Sequence, residues 1–210
     1  MGKEYRRALR ISGILGGLCI VFGTVLANNL NHVYLSPLMF GLGIIFTVVL
    51  GLDLITRAVP IGIPARDCVT IGLFNFVSAF IAGLLLKNFG AFPKEISPDF
   101  WGAIGTGIII GLVSVVNKKS GPYTVAVTLM LMFSFVYLKL PHCVVTAFYL
   151  GTILGVGAFW SSLWSFVVIV VGNIIGGLIV NVVFRLSQSI APSKKIPPLF
   201  NKKYLPTSNK

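Results

Sequence analysis

Residues 123–159 read YTVAVTLMLMFSFVYLKLPHCVVTAFYLGTILGVGAF, an apolar block nearly twice the roughly 20 residues that one helical crossing of a bilayer requires. Two readings fit it: a pair of helices turning at Pro141 and His142, or one crossing broken near its middle. The choice decides between seven crossings and six, and so whether the two ends of the chain share a side of the membrane.

Five further apolar blocks accompany it, at residues 11–27, 34–56, 68–86, 100–116 and 163–186. With 56% hydrophobic and 10% charged residues overall, the chain reads as an all-α integral membrane protein, one membrane domain spanning 1–210 with little left for a soluble part. The net charge of +12 does not point to nucleic acid, because the Lys and Arg sit at the two ends and in short loops, where membrane topology accounts for them. Cys19, Cys68 and Cys143 are scattered through apolar blocks without metal or redox spacing and read as packing residues.

Charge settles the count. Six crossings give the cytoplasm Lys3, Arg6, Arg7 and Arg10, then Arg57 and Arg66, then Lys118 and Lys119, then Arg185, Lys194, Lys195, Lys202, Lys203 and Lys210. Only Lys87 and Lys94 fall outside, and Lys139 lies within the long block. Seven crossings would put the basic tail outside, against the positive-inside rule. The long block is therefore one broken crossing, which leaves Pro141 and His142 in non-helical backbone at membrane depth, tolerated only where protein or a water-filled cavity satisfies it. The basic opening and Val25-Leu26-Ala27 also fit a secretory signal peptide, but 11–27 exceeds the usual apolar core of one and carries Gly13, Gly16, Gly17 and Gly23, suited to close helix packing. It is read as a retained span.

The chain divides near Pro98 into two halves of three spans, 11–97 and 98–186, flanked by an N-tail at 1–10 and a basic C-tail at 187–210, both expected in the cytoplasm. Gly51-Leu52-Asp53-Leu54-Ile55-Thr56 with Pro60 in the second span answers Leu140-Pro141-His142-Cys143 with Thr146 in the fifth; Gly72-Leu73-Phe74-Asn75 with Ser78 answers Gly172-Asn173-Ile174-Ile175-Gly176-Gly177. Three spans per half make the copies antiparallel, and an inverted repeat with interrupted helices at matching positions points to a central transport site.

His142 is the foremost candidate, since an ionisable group at membrane depth is costly and marks function by default. Its ordinary pKa near 6.5 suits a switch between proton donor and acceptor, and the bland alternative is a neutral histidine bonded between helices. Asp53, the one acidic residue inside a span, lies beside a break expected around residues 56–60 and reads as a structural brace, because a carboxylate facing the pore would repel anions. Asn75 and Asn173 read as interhelical hydrogen bonders, and Gly107 with Gly111, like Gly172 with Gly176, as packing faces. His32 falls in an external loop with no role assigned, and nothing resembles a nucleotide loop, a metal cluster or a catalytic triad.

These stretches resemble the formate/nitrite transporter family over roughly residues 8–186. Leu50-Gly51-Leu52-Asp53-Leu54-Ile55-Thr56 is similar to its second-span motif, and Gly172-Asn173-Ile174-Ile175-Gly176-Gly177 reproduces its sixth-span motif. Pro141-His142-Cys143-Val144-Val145-Thr146 falls where the family has Glu-His-Ser, two small or apolar residues and Asn. The resemblance implies an aquaporin-like fold of six spans with the second and fifth broken, assembled as a homopentamer with a pore in each protomer. It implies His142 as the central histidine, Thr56 as the threonine of the second-span break, and Phe40 and Phe135 as the rings that narrow the pore. The chain departs from the pattern at Pro141, at Thr146 and Thr106 in place of asparagines, and at Lys94, the nearest counterpart of a lysine ahead of the fourth span.

The expected function is passage of a small monovalent anion such as formate, nitrite, hydrosulfide or lactate, or of its conjugate acid, with His142 assisting protonation, Thr56 and Thr146 replacing lost water, and Lys94 and Lys139 enriching anions at the mouth. No enzymatic activity, cofactor, metal or nucleic-acid partner is expected. The alternatives are a neutral-solute pore for water, ammonia or urea, and a non-transporting membrane scaffold.

Overall fold

The computed structural model describes residues 2–30, 32–117 and 122–190, so Lys118, Lys119 and the basic tail from 191 onward lie outside it. The described residues form eight helices and no strand: α1 (Lys3–Leu30), α2 (Leu35–Val49), α3 (Ile55–Ala58), α4 (Ala65–Leu86), α5 (Phe100–Val116), α6 (Pro122–Tyr137), α7 (Cys143–Thr152) and α8 (Phe159–Ile190). Without water in a bilayer core, apolar chain must satisfy its own N–H and C=O groups, and helices do this locally. Lys3–Leu30, Ala65–Leu86 and Phe159–Ser189 are each long and apolar enough to cross a membrane. The outward faces carry exposed Trp101, Trp160, Leu85 and Met130, an apolar surface that a water-soluble monomer would not display.

α1 begins earlier than its apolar block. The basic residues before Ile11 continue the helix, Leu9 is buried, and the Tyr5 hydroxyl donates to Asp67 Oδ2 at 2.9 Å, tying this end to the first turn of α4. Asp67 is itself buried, so Asp53 is not the only carboxylate enclosed by the bundle.

Residues 50–54 and 138–142 interrupt the two helical pairs α2/α3 and α6/α7. Both α2 and α6 end in a Schellman motif. After α2, the Gly51 N–H donates to Val48 O at 3.2 Å and the Leu52 N–H to Thr47 O at 2.8 Å, with Gly51 at φ 65°. After α6, the Lys139 N–H donates to Val136 O at 2.9 Å and the Leu140 N–H to Phe135 O at 3.1 Å, with Lys139 at φ 54°. A side chain in this left-handed region costs about 1–2 kcal/mol, which glycine avoids and lysine does not. Exposed Lys139 recovers part of that cost through its cation at the helix C-terminus. The first break thus falls ahead of the expected residues 56–60. Gly51 ends α2, whereas Pro60 lies beyond the single turn of α3, so Thr56 is helical and not part of the break.

Each break is pinned by an asparagine. Asn75 of α4 accepts the Ile55 N–H on Oδ1 at 2.9 Å and donates from Nδ2 to Gly13 O at 2.6 Å and Asp53 O at 3.1 Å. Asn173 of α8 accepts the Cys143 N–H at 3.0 Å and donates to Ala103 O at 2.9 Å and Pro141 O at 3.2 Å. Helices α1 and α4 pack closely, as do α5 and α8, and α4 also packs on α7. A Cβ on Gly107 would strike Asn173 O and lie 2.9 Å from Gly176 Cα, so only glycine permits that approach.

Candidate functional site

The end of the second break meets the first turn after the first. Leu54 and His142 are both extended, at φ −121°, ψ 140° and φ −114°, ψ 127°, and each hands the chain to the next short helix. His142 is 2% exposed and caps α7: its Nδ1 accepts the Val144 N–H at 3.2 Å. The other ring nitrogen, Nε2, lies 3.3 Å from Thr56 Oγ1 in the first turn of α3. A nitrogen that accepts an N–H carries no proton, so the capping bond places the ring proton on Nε2 and makes His142 the donor to Thr56. Forming the imidazolium would put a proton on Nδ1 and break the cap.

Two buried phenylalanines close one side of this pair. The Phe40 ring of α2 lies 5.4 Å from that of Phe135 of α6, and Phe135 meets the His142 ring edge-on at 6.1 Å. Thr56 also lines a narrow cleft with Ile55, Val59, Cys143, Val170, Asn173 and Ile174, apolar except for Thr56 and Asn173. An aromatic contact and an apolar cleft thus flank one hydroxyl and one imidazole, an arrangement that strips water from a solute and offers a few hydrogen bonds in return.

Four of the expected pathway residues therefore come together: His142, Thr56, Phe40 and Phe135. Thr146 is buried one turn into α7, but its hydroxyl donates back to His142 O at 3.0 Å, and the Thr106 hydroxyl likewise donates to Gly102 O at 3.2 Å within α5. Lys94 is exposed in the connection between α4 and α5, apart from this cluster. Asp53 lies in the break, where its N–H donates to Ser12 Oγ at 2.9 Å. His32 accepts the Tyr34 and Leu35 N–H groups on Nδ1 and so stabilises the start of α2. Among the described residues no cluster of His, Cys, Asp and Glu could hold a metal ion.

Two residues beside the site carry roles that sequence reasoning missed. Arg57 is half-buried on α3, not in a loop, and donates from Nη1 to Thr47 O at 3.1 Å and Leu52 O at 3.2 Å. Asn181 of α8 is buried and donates to Pro60 O at 2.7 Å. A charged residue next to the threonine of a break, and a second asparagine two turns beyond Asn173, were the available signals.

No family model and no curated protein matches the sequence. Solved structures do match by fold. A pentameric formate channel with formate bound superposes at a TM-score of 0.64 with 17% identity, covering 91% of this chain and 99% of that one. An ion channel of the FNT (formate/nitrite transporter) family superposes at 0.69 with 14% identity, covering 88% and 90%. The chain has the fold of these channels.

Proposed function

We propose that this chain is a channel of the formate/nitrite transporter type, passing a small monovalent anion or its conjugate weak acid through a pore in each protomer of a homopentamer. It is proposed to reside in the cell membrane with both termini in the cytoplasm, as a transporter and not an enzyme. The observation that carries the reading is the Thr56 to His142 hydrogen bond, which joins the two breaks beside the Phe40 and Phe135 rings. Likeness of fold to two solved channels supports it.

The proposed architecture is an inverted repeat of two three-span halves. Its support is a shared register: Gly13, Gly17, Ile20 and Thr24 of α1 are matched by Ala103, Gly107, Ile110 and Ser114 of α5, while Ile71, Asn75 and Ser78 of α4 are matched by Ile169, Asn173 and Gly176 of α8. Ile20 and Ile110 are both fully buried, and the Thr24 and Ser114 hydroxyls make the same bond to the carbonyl one turn back.

A bare anion crossing the Phe40 and Phe135 contact loses hydration worth several kcal/mol or more. Protonation removes most of that cost. The capped ring assists from the neutral form: Nε2–H donates toward Thr56, whose own hydroxyl proton is then directed to the solute and replaces part of its lost hydration, while the solute enters the contact as the conjugate acid formed by taking a proton from hydronium in the bulk. Flux should therefore rise as pH falls, following the fraction of conjugate acid. In proteoliposomes His142→Asn, which keeps an N–H donor but cannot titrate, should retain that pH profile, and His142→Leu should lose most flux. Retained flux in His142→Leu would refute the role of this site, and a flattened profile in His142→Asn would show that the histidine itself titrates. The committed neutral ring also suits a second reading, a pore for neutral solutes such as ammonia, which osmotic swelling without anion uptake would reveal.

A further inference from the structure

The single turn of α3 cannot sustain itself, because four residues form fewer hydrogen bonds than helix nucleation requires. Its counterpart α7 runs for ten residues and rests its backbone on α4, where Gly83 meets Gly151. α3 is too short for a backbone seat that far along, and only the side chains of Val59 and Pro60 at its end rest on Gly177 of α8. On α8 the position in register with Gly83, two turns beyond the pinning asparagine, is Asn181, and its side chain spans the space that a longer helix would fill to donate to Pro60 O. The turn after α3 depends on this donor: Pro60 has no N–H to contribute, and Gly62, at φ 77°, leaves room for the amide, since a Cβ there would lie 3.1 Å from Asn181 Nδ2. Arg57 reaches back to Thr47 O in the last turn of α2 and to Leu52 O in the break.

We propose that Asn181 and Arg57 are positioning residues: they suspend α3 between α8 and α2, hold the Thr56 hydroxyl at the His142 ring, and thereby set how sharply the constriction discriminates between solutes. The proposal rests on the channel reading above. At 3.3 Å the Thr56 to His142 contact is already long for a hydrogen bond, so a small displacement of α3 weakens it.

The test uses the full chain in lipid nanodiscs for hydrogen exchange and in proteoliposomes for flux, comparing formate with the bulkier acetate. Asn181→Ala should speed amide exchange at residues 55–63 about fivefold, the effect of one lost buried hydrogen bond, without changing residues 143–152. It should lower the formate-to-acetate flux ratio by about the same factor. Asn181→Gln, which keeps the donor, should recover part of both effects, and Arg57→Gln should reproduce them with oligomer size unchanged. Unaltered exchange at 55–63 overturns the proposal, as does faster exchange with an unaltered flux ratio. A wild type that carries neither of these anions, nor nitrite, hydrosulfide or lactate, refutes the channel reading instead, and exchange at 55–63 then decides whether Asn181 and Arg57 hold α3.

Discussion

Replacing Asn173 with leucine keeps the branching and the number of heavy atoms but removes three hydrogen bonds from a fully enclosed position. Their losses are unequal. The Cys143 N–H opens α7 and has no acceptor within its own helix, so Asn173→Leu leaves a buried donor orphaned, at a cost of about 1–3 kcal/mol. Pro141 O loses one partner, worth about 0.6 kcal/mol for a hydrogen bond inside a membrane protein. Ala103 O lies within α5 and keeps its helical partner, so it loses a second bond only. Together these give about 2–4 kcal/mol of destabilisation. Asn75→Leu removes the corresponding set around Ile55, Asp53 and Gly13 and should cost the same, although it lies at the other break. Reversible unfolding in mixed micelles, following helicity against denaturing detergent, measures both. A loss below about 0.5 kcal/mol in either variant, the scatter of neutral surface changes, would refute the claim that these asparagines hold the breaks.

Gly107→Val should abolish assembly of the folded chain, because its Cβ would strike Asn173 O; a folded variant in detergent chromatography would contradict that packing. Gly51→Ala should destabilise by about 1 kcal/mol, while Lys139→Gly, at the matching left-handed position, should stabilise or leave stability unchanged; the opposite signs in the same unfolding assay would refute the cap assignment. A cysteine at Ser97 should react with an impermeant reagent added outside intact cells, and one at Ser193 only after permeabilisation; external labelling of the second would overturn the six-crossing topology.

The apolar blocks gave the helices because length and hydropathy are properties of single segments, and α5 coincides with its block at both ends. The first break was misplaced because proline was taken as the stronger stop, whereas Gly51 closes α2 through a Schellman motif whose sequence signal is a single residue. Asp67 and Arg57 were passed over because each lies just beyond the edge of an apolar block, and Asp67 and Asn181 because their partners are distant in sequence. Asp67 is enclosed through Tyr5, and Asn181 through Pro60. Phe40 and Phe135 came from likeness of motif, and their contact could not be read from spacing, since it depends on how α2 packs against α6.

The proposed repeat is followed most closely where it supports the backbone and departs where chemistry is needed. Ile55 and Cys143 open the two short helices, and each gives its N–H to an asparagine in the same register of α4 or α8. One residue earlier the halves diverge: Leu54 is fully buried and apolar, and His142 is buried and bonded through both ring nitrogens. One residue later they diverge the other way, with Thr56 in the first half and Val144 in the second. Each half thus supplies one polar group and one apolar group at the same pair of backbone positions, and the two polar groups meet. A strictly symmetric pair of histidines would confront two rings, and a pair of leucines would leave a dry plug. Breaking the repeat at these positions yields a single donor and hydroxyl in an apolar surround, held on backbone that the symmetric asparagines keep rigid. On the proposed reading, asymmetry at Leu54 and Thr56 against His142 and Val144 is what would turn the repeat into a selective site.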